Sequence, residues 1–111
     1  MTLDSRQKGL RYERQGEAWW TNQIGAHRYQ RLNRSGFDGA DGAIDGRLSL
    51  EYKNHAKMTL AAWLKQAEMQ TGPDMLPVVI HKRRGSSTLA DDYVTMRVGD
   101  FAALIRGLGD E

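Results

Sequence analysis

The sequence predicts an α/β fold of three layers, in which a mixed sheet lies between helices. Two long segments have apolar residues at helical spacing, and shorter segments between and after them have the alternating or continuous apolar pattern of strands. The length of 111 residues allows one core and therefore a single domain over residues 1–111. The predicted order is helix, three strands, helix, two strands, helix.

Three helices are predicted, and the first two have an amphipathic pattern. The first runs from Ser5 to about Ile24 and is closed by Gly25. The second runs from residue 58 to residue 71 and ends at a Gly-Pro pair. Its predicted buried face consists of Leu60, Trp63, Leu64 and Ala67. The last helix spans residues 101–108, with Asp100 as its N-cap.

Five strands are predicted around the second helix. Residues 27–32 form an edge strand that ends at the turn 33–36. A glycine-rich segment with three aspartates, residues 37–45, contains the second strand and leads through the tight-turn pair Asp45-Gly46 into the third, the alternating strand 48–53. Residues 77–82 have the composition of a buried strand, and residues 93–98 alternate as its hairpin partner across a polar loop.

The charges are unevenly distributed along the chain, although the net charge is only +2. Basic residues cluster at 6–14, 28–34 and 81–84, whereas acidic residues gather between Asp38 and Asp45. Basic clusters attract polyphosphates, and neighbouring carboxylates suit a divalent cation. For any one basic cluster alone, a solvated surface is the simpler explanation. Together, the two kinds of cluster favour nucleic-acid chemistry.

Two features that the sequence lacks limit the possible metal ligands and the expected cellular compartment. The lack of cysteine removes disulfides and thiolate metal sites, so a metal would be held by oxygen and histidine ligands. The first eight residues are polar, and no apolar run has the length of a signal peptide or a membrane span. We therefore expect a cytoplasmic protein that does not enter a membrane.

The strand 48–53 carries the chemistry-bearing pair Glu51 and Lys53. Because side chains alternate along a strand, both point to one face, while Leu50 and Tyr52 point to the other. With nearby aspartates, this pair could hold a hard cation beside an ammonium group, as phosphodiester hydrolysis requires. A Glu-x-Lys triplet by itself is common and usually lies on a solvent-facing strand.

The arrangement around this triplet resembles the PD-(D/E)XK nuclease superfamily. The triplet ends a strand, follows an aspartate-rich hairpin and precedes an amphipathic helix. The segment Lys8-Gly-Leu-Arg-Tyr-Glu13 is similar to the one that opens archaeal-type Holliday junction resolvases and their phage relatives. The resemblance implies a restriction-endonuclease-like core and a metal-dependent DNA endonuclease that uses Mg²⁺, with Mn²⁺ as a substitute.

The resemblance also implies roles for particular residues. The catalytic set is Asp41, Glu51 and Lys53, and the metal ligands are Glu13, Asp41 and Glu51. Asp38 is the alternative to Asp41, because no proline precedes either aspartate, and Asp45 is more typical of a turn residue. Glu13 is equally consistent with a surface ion pair to Arg6 or Arg14. Gln66 would be accessory to the site, although an exposed helical amide is the commoner explanation.

The expected partner is DNA, including branched DNA, bound by a homodimer in the cytoplasm, or in the host cytoplasm if the chain is phage-encoded. The predicted DNA-binding residues are Lys8, Arg11, Arg34, Asn54, His55, Lys82, Arg83 and Arg84. Three alternatives remain open: a nicking, restriction-like or repair nuclease, a non-catalytic DNA-binding module of the same fold, and a structural or interaction protein.

Overall fold

Within the described residues, a mixed five-stranded sheet packs with three α-helices, which confirms the predicted α/β class. The computed structural model describes residues 4–32 and 39–109. The elements are α1 (Ser5–Ile24), β1 (Tyr29–Arg31), β2 (Gly42–Ile44), β3 (Leu48–Lys53), α2 (Leu60–Gln70), β4 (Leu76–His81), a 3₁₀ turn (Leu89–Asp91), β5 (Tyr93–Thr95) and α3 (Val98–Gly109). The predicted turn at 33–36 lies outside the described residues.

The strands follow one another across the sheet in chain order, from β1 to β5. All neighbouring pairs are antiparallel except β3 and β4, which run parallel over six residues and are joined by α2. The predicted edge position of the first strand is confirmed, although the strand itself is three residues long. As a result β3, which carries Glu51 and Lys53, is the central strand of the sheet.

Helix α1 begins and ends where the sequence predicts. The side chain of Asp4 caps it by accepting a hydrogen bond from the Gln7 amide at 2.8 Å, and Gly25 ends it with a φ of 94°. Its buried side packs on the main core. That core consists of Tyr12, Tyr29, Ile44, Leu50, Tyr52, Val78, Ile80 and Leu89.

Helix α2 packs on the sheet with a smaller apolar cluster of Trp63, Ala67 and Val79. The helix starts two residues later than predicted, since its first turn is closed by the Trp63 amide on the Thr59 carbonyl. The prediction that Leu60 belongs to the buried face is wrong, because that side chain is 39% exposed at the first turn.

The junction of β5 and α3 differs most from the prediction. The strand ends at Thr95 rather than residue 98, and α3 already begins at Val98, so Asp100 lies in its first turn and is not its N-cap. The pairing of Thr95 with Val79 would bring Arg97 opposite Pro77, which has no N–H to donate. The ladder therefore stops, and the Phe101 amide bonds the Arg97 carbonyl as a helical turn.

In the part of the chain that the structure describes, none of the helices has both the length and the apolar character needed to cross a lipid bilayer.

Candidate functional site

The face of β3 that points to α2 is buried but polar. Glu51 is 6% exposed, and its Oε1 lies 3.6 Å from the Lys53 ammonium nitrogen. Gln66 on α2 contacts both groups: its Oε1 accepts a hydrogen bond from Lys53 at 2.7 Å, and its Nε2 lies 3.4 Å from Glu51 Oε1. The predicted pair and the predicted accessory glutamine therefore meet in one cluster.

A second glutamine of α2, Gln70, was missed by the sequence analysis. With its amide nitrogen directed at Glu51, it donates to Oε2 at 2.7 Å. Gln66 and Gln70 are four residues apart and so share one face of the helix, which is the signal that would have found the second amide. The two glutamines thus supply neutral donors to a carboxylate that is removed from solvent.

Asp41 lies immediately before β2 and is 6% exposed. Its backbone extends the hairpin, because its N–H donates to the Leu50 carbonyl and its carbonyl accepts from Leu32, both at 2.9 Å. Its Oδ2 accepts the Tyr52 amide at 2.9 Å. These bonds hold the Asp41 carboxylate at the end of the strand next to β3.

Two other aspartates, Asp38 and Asp45, were considered in the sequence analysis as the metal-binding aspartate. Asp45 occupies the β2–β3 turn with a φ of 55°, as predicted for a turn residue, and its carboxylate binds the Arg28 guanidinium at 2.6 and 2.8 Å. It is therefore committed to the turn, away from Glu51. Asp38 lies outside the described residues.

Glu13 reaches the same region from α1. Its side chain is 16% exposed, and its Oε2 lies 3.8 Å from an Arg31 nitrogen on β1. An ion pair of Glu13 with Arg6 or Arg14 in the same helix was considered in the sequence analysis. The basic residue beside Glu13 is instead Arg31, which lies on another element and is brought close by the tertiary fold. Glu13 thus lies near both Arg31 and the Asp41 carboxylate, and both affect its pKa.

The three carboxylates interact electrostatically at low exposure. Burial, followed by the charge of Asp41, raises the pKa of Glu51 to about 7, against the opposing effect of Lys53. Burial also raises the pKa of Glu13 to about 8, with a further contribution from the neighbouring Asp41 carboxylate, while Arg31 opposes the rise. Concentrated negative charge of this kind is relieved by a proton or by a cation.

The donor chemistry suits a hard divalent cation, because carboxylate oxygens are the ligands that Mg²⁺ prefers. Within residues 4–32 and 39–109, no three His, Asp or Glu side chains are arranged as a complete metal-binding group. Mg²⁺ commonly keeps several waters and uses only one or two protein carboxylates. Asp41 and Glu51, with Glu13 beside Asp41, therefore fit such a partly hydrated ion.

A basic groove continues from the end of β3, where Asn54 directly follows Lys53. One part of it, of about 540 Å³, is lined by Lys8, Arg11, Tyr12, Gln15, Asn54, Lys82 and Ser87. An adjoining part of about 340 Å³ shares Lys8, Asn54 and Lys82 and adds His55, Ala56, Met58, Arg84 and Gly85. Six of the eight predicted DNA-binding residues thus line one continuous surface, which we call the basic groove.

The two remaining predicted DNA-binding residues are Arg34 and Arg83. Arg34 lies outside the described residues, and the exposed Arg83 does not line the basic groove. The Arg83 amide donates to Asp92 Oδ1 at 3.0 Å, and Tyr12 donates its hydroxyl to Asp92 Oδ2 at 2.7 Å. Asp92 therefore ties the basic loop after β4 to helix α1.

A larger groove of about 890 Å³ lies between the second half of α1 and β1, and Glu17, Tyr29 and Arg31 are among its lining residues. Glu51 and Lys53 line neither this groove nor the basic groove. The basic groove differs from the larger one in that Asn54, which lines it, directly follows Lys53 in the chain.

No protein-family model matches this chain, and comparison with curated proteins and with solved structures finds no match either.

Proposed function

We propose that this chain is a metal-dependent nuclease that hydrolyses phosphodiester bonds of DNA and belongs to the PD-(D/E)XK superfamily. The observation that carries the proposal is the contact of 3.6 Å between Glu51 and Lys53 on the buried face of the central strand, beside the carboxylate of Asp41. A solvent-facing pair, which is the usual fate of a Glu-x-Lys triplet, would be exposed. Here Glu51 and Lys53 are 7% and 14% exposed in their side chains.

The carboxylates of this cluster are assigned to the ion. Asp41 and Glu51 would hold Mg²⁺, or Mn²⁺ in its place, and Glu13 would complete the acidic surroundings. When bound, the ion supplies positive charge that favours a nucleophilic oxygen and stabilises charge developing on the phosphate. Filling the site with a cation also offsets the burial and the repulsion between carboxylates that raise the pKa of Glu51 and Glu13.

Lys53 is assigned to the reacting phosphate. Its ammonium group can orient the attacking water or donate to a phosphate oxygen whose charge increases during the reaction. Gln66 holds the Lys53 nitrogen at 2.7 Å, and Glu51 lies on the same side. Gln66 is therefore a positioning residue, because its bond limits the directions in which the lysine side chain can point.

The basic groove is assigned to the DNA backbone. Lys8, Arg11, Lys82 and Arg84 offer cationic contacts to phosphates, and Asn54 joins the groove to the strand that carries Lys53. Contacts of this type position a nucleic acid without reading its sequence. The restriction-endonuclease-like assignment is supported by the acidic hairpin that leads into the Glu-x-Lys strand and by the helix that follows it.

A cleavage assay tests this function and its preferred DNA structure. Purified protein is incubated with supercoiled plasmid, linear duplex and a four-way junction, each with Mg²⁺, Mn²⁺ or a chelator. We expect cutting only with a divalent ion, and faster cutting of the junction if the resemblance to resolvases extends to the substrate. Lys53→Ala should lower the cleavage rate at least about hundredfold, which is typical for the loss of one group that stabilises transition-state charge.

Lys65→Ala is the matched control, because Lys65 is an exposed lysine on α2. It should cut as the unmodified protein does. If no substrate is cut with either metal, the nuclease proposal fails. DNA binding that persists in that case, with no change in Lys53→Ala, would identify a non-catalytic DNA-binding module.

A further inference from the structure

Helix α3 exposes a continuous apolar row. Val98, Phe101, Ile105 and Leu108 are 83%, 51%, 51% and 68% exposed, and no residue of the helix is buried. Their spacing of three, four and three residues places all four side chains on one side of the helix, as in the seam of a coiled coil. We call these four residues the α3 stripe.

The opposite side of α3 faces the rest of the chain. Arg47 donates to the Ala103 carbonyl at 3.2 Å, and its guanidinium lies within 3.2 Å of the position that a Cβ on Gly107 would take. Ala103 and Gly107 are one helical turn apart and point away from the α3 stripe. The apolar side chains are therefore directed outward, although each costs free energy when left in water.

We propose that the α3 stripe pairs with the α3 stripe of a second copy of this chain, with the two helices antiparallel. The stripe is symmetric about the level of Ala103, so a two-fold axis there brings Val98 opposite Leu108 and Phe101 opposite Ile105. Each contact then joins one larger and one smaller side chain, which fills the layers evenly. Parallel pairing would instead oppose two Phe101 side chains and two Val98 side chains.

The charges of α3 permit this approach. Asp100 and Arg106 are its charged residues within the described part of the chain, and each lies well over a quarter-turn from the centre of the α3 stripe. Two copies can therefore bring their stripes together without burying a charge, which would oppose association. Such a self-complementary patch is what a two-fold dimer requires.

The exposed apolar area is a large part of the amount that a dimer needs. The surface continues from the α3 stripe onto β5, where Val94 is 61% exposed, through a groove of about 420 Å³. These five side chains together expose roughly 500 Å², compared with roughly 800 Å² for each partner in an interface of standard size. Backbone and neighbouring atoms of α3 would add to this area.

Sedimentation equilibrium tests the pairing without any reference to DNA cleavage, so its outcome is separate from that of the proposed function. At micromolar concentration we expect twice the 12.5 kDa mass of one chain. Phe101→Asp should raise the dimer dissociation constant at least about hundredfold, because both copies lose an apolar contact and gain a charge. Met69→Asp is the matched control, since Met69 is 78% exposed on α2 and should leave the dimer intact.

Disulfide trapping tests the direction of the helices, and the absence of native cysteine makes single-cysteine variants unambiguous. A mixture of Val98→Cys and Leu108→Cys should cross-link between the two variants, whereas Val98→Cys alone should remain uncross-linked. A monomer in sedimentation, or a dimer that survives Phe101→Asp, would overturn the proposal. Preferential cross-linking of Val98→Cys with itself would overturn the antiparallel arrangement.

Discussion

The two faces of β3 are equally buried but differ in what covers them. Leu50 and Tyr52 are 1% and 5% exposed against the aromatic core beneath α1. Glu51, at 6%, and Lys53 face α2, where amide side chains replace apolar ones. The alternation of one strand therefore separates an apolar surface from the polar surface that carries the proposed site, and burial alone does not distinguish the two.

Helix α2, which covers the polar face of β3, buries few apolar side chains. Only Trp63 and Ala67 of α2 are buried, and they form a cluster of three with Val79. Gln66 and Gln70 take positions that apolar residues would fill in a purely structural helix. We expect substitutions on the α1 face of β3 to reduce stability, and substitutions on the α2 face to change activity, ion binding or pH dependence.

Leu50→Ala should have the largest effect on folding. Its side chain is almost fully buried in the main core, so the loss of apolar contact and the cavity left behind should lower the free energy of unfolding by about 3 kcal/mol. Urea denaturation monitored by tryptophan fluorescence measures this. Glu51→Gln, one residue away and nearly the same size, should not lower stability at neutral pH, and an equal loss in both variants would contradict the separation of the faces.

The metal-free protein should lose stability with rising pH because of Glu51. Its folded pKa of about 7 lies above its ordinary value of 4.5, so its stabilising contribution is complete below about pH 4.5 and is lost as the pH rises through about 7. We expect this contribution to approach about 3 kcal/mol. Urea denaturation with chelator, compared between the unmodified protein and Glu51→Gln at each pH, isolates it. Parallel pH profiles would show that Glu51 is not perturbed.

Gly16→Ala tests the packing of α1 on the apolar face. An added Cβ would lie 2.5 Å from the ring of Tyr52, which is buried and hydrogen-bonded to Tyr29 at 2.6 Å and so cannot easily move. We expect a loss of about 1.5 kcal/mol in the free energy of unfolding. The control is Gly9→Ala in the same helix, which meets nothing within 4 Å and should gain up to about 1 kcal/mol. Equal effects would contradict the close approach.

Gln66→Ala should have the smallest effect, and it should fall on activity. The variant loses the bond that orients Lys53 but keeps the ammonium group, so we expect the cleavage rate to fall about tenfold at saturating DNA. DNA affinity, measured by fluorescence anisotropy with Ca²⁺ in place of Mg²⁺, should remain unchanged. A parallel loss of affinity would assign Gln66 to DNA binding rather than to positioning.

The sequence predicts local features of this fold more fully than contacts between distant elements. Gly25 marks the end of α1, and the Asp45-Gly46 turn and the two faces of β3 follow from residue type and alternation. The early start of α3 was not predicted, because Val98 continues the alternation of the preceding strand. It depends on the register that would bring Arg97 opposite Pro77, which is a property of the pairing and not of either segment alone.

The candidate site also combines features that the sequence predicts with contacts that depend on the tertiary fold. Glu51 and Lys53 could be placed on one face from their spacing, and Gln66 from its position on the following helix. The contact of Glu13 with Arg31, and the direction of Gln70 towards Glu51, depend on how α1 and α2 dock on the sheet. Those partners could not be chosen from the sequence, since several nearby charges and amides satisfied the same local rules.

The most direct test of the central claim is a calorimetric titration of the DNA-free protein with Mn²⁺. The account predicts saturable binding at neutral pH that is weakened strongly by Asp41→Asn and by Glu51→Gln, while Asp45→Asn, whose carboxylate is engaged by Arg28, binds as the unmodified protein does. Proton release should accompany binding, because burial and neighbouring charge hold protons on Glu13 and Glu51. No binding, or binding that Asp41→Asn and Glu51→Gln leave unchanged, would contradict the assignment of these carboxylates to a metal ion.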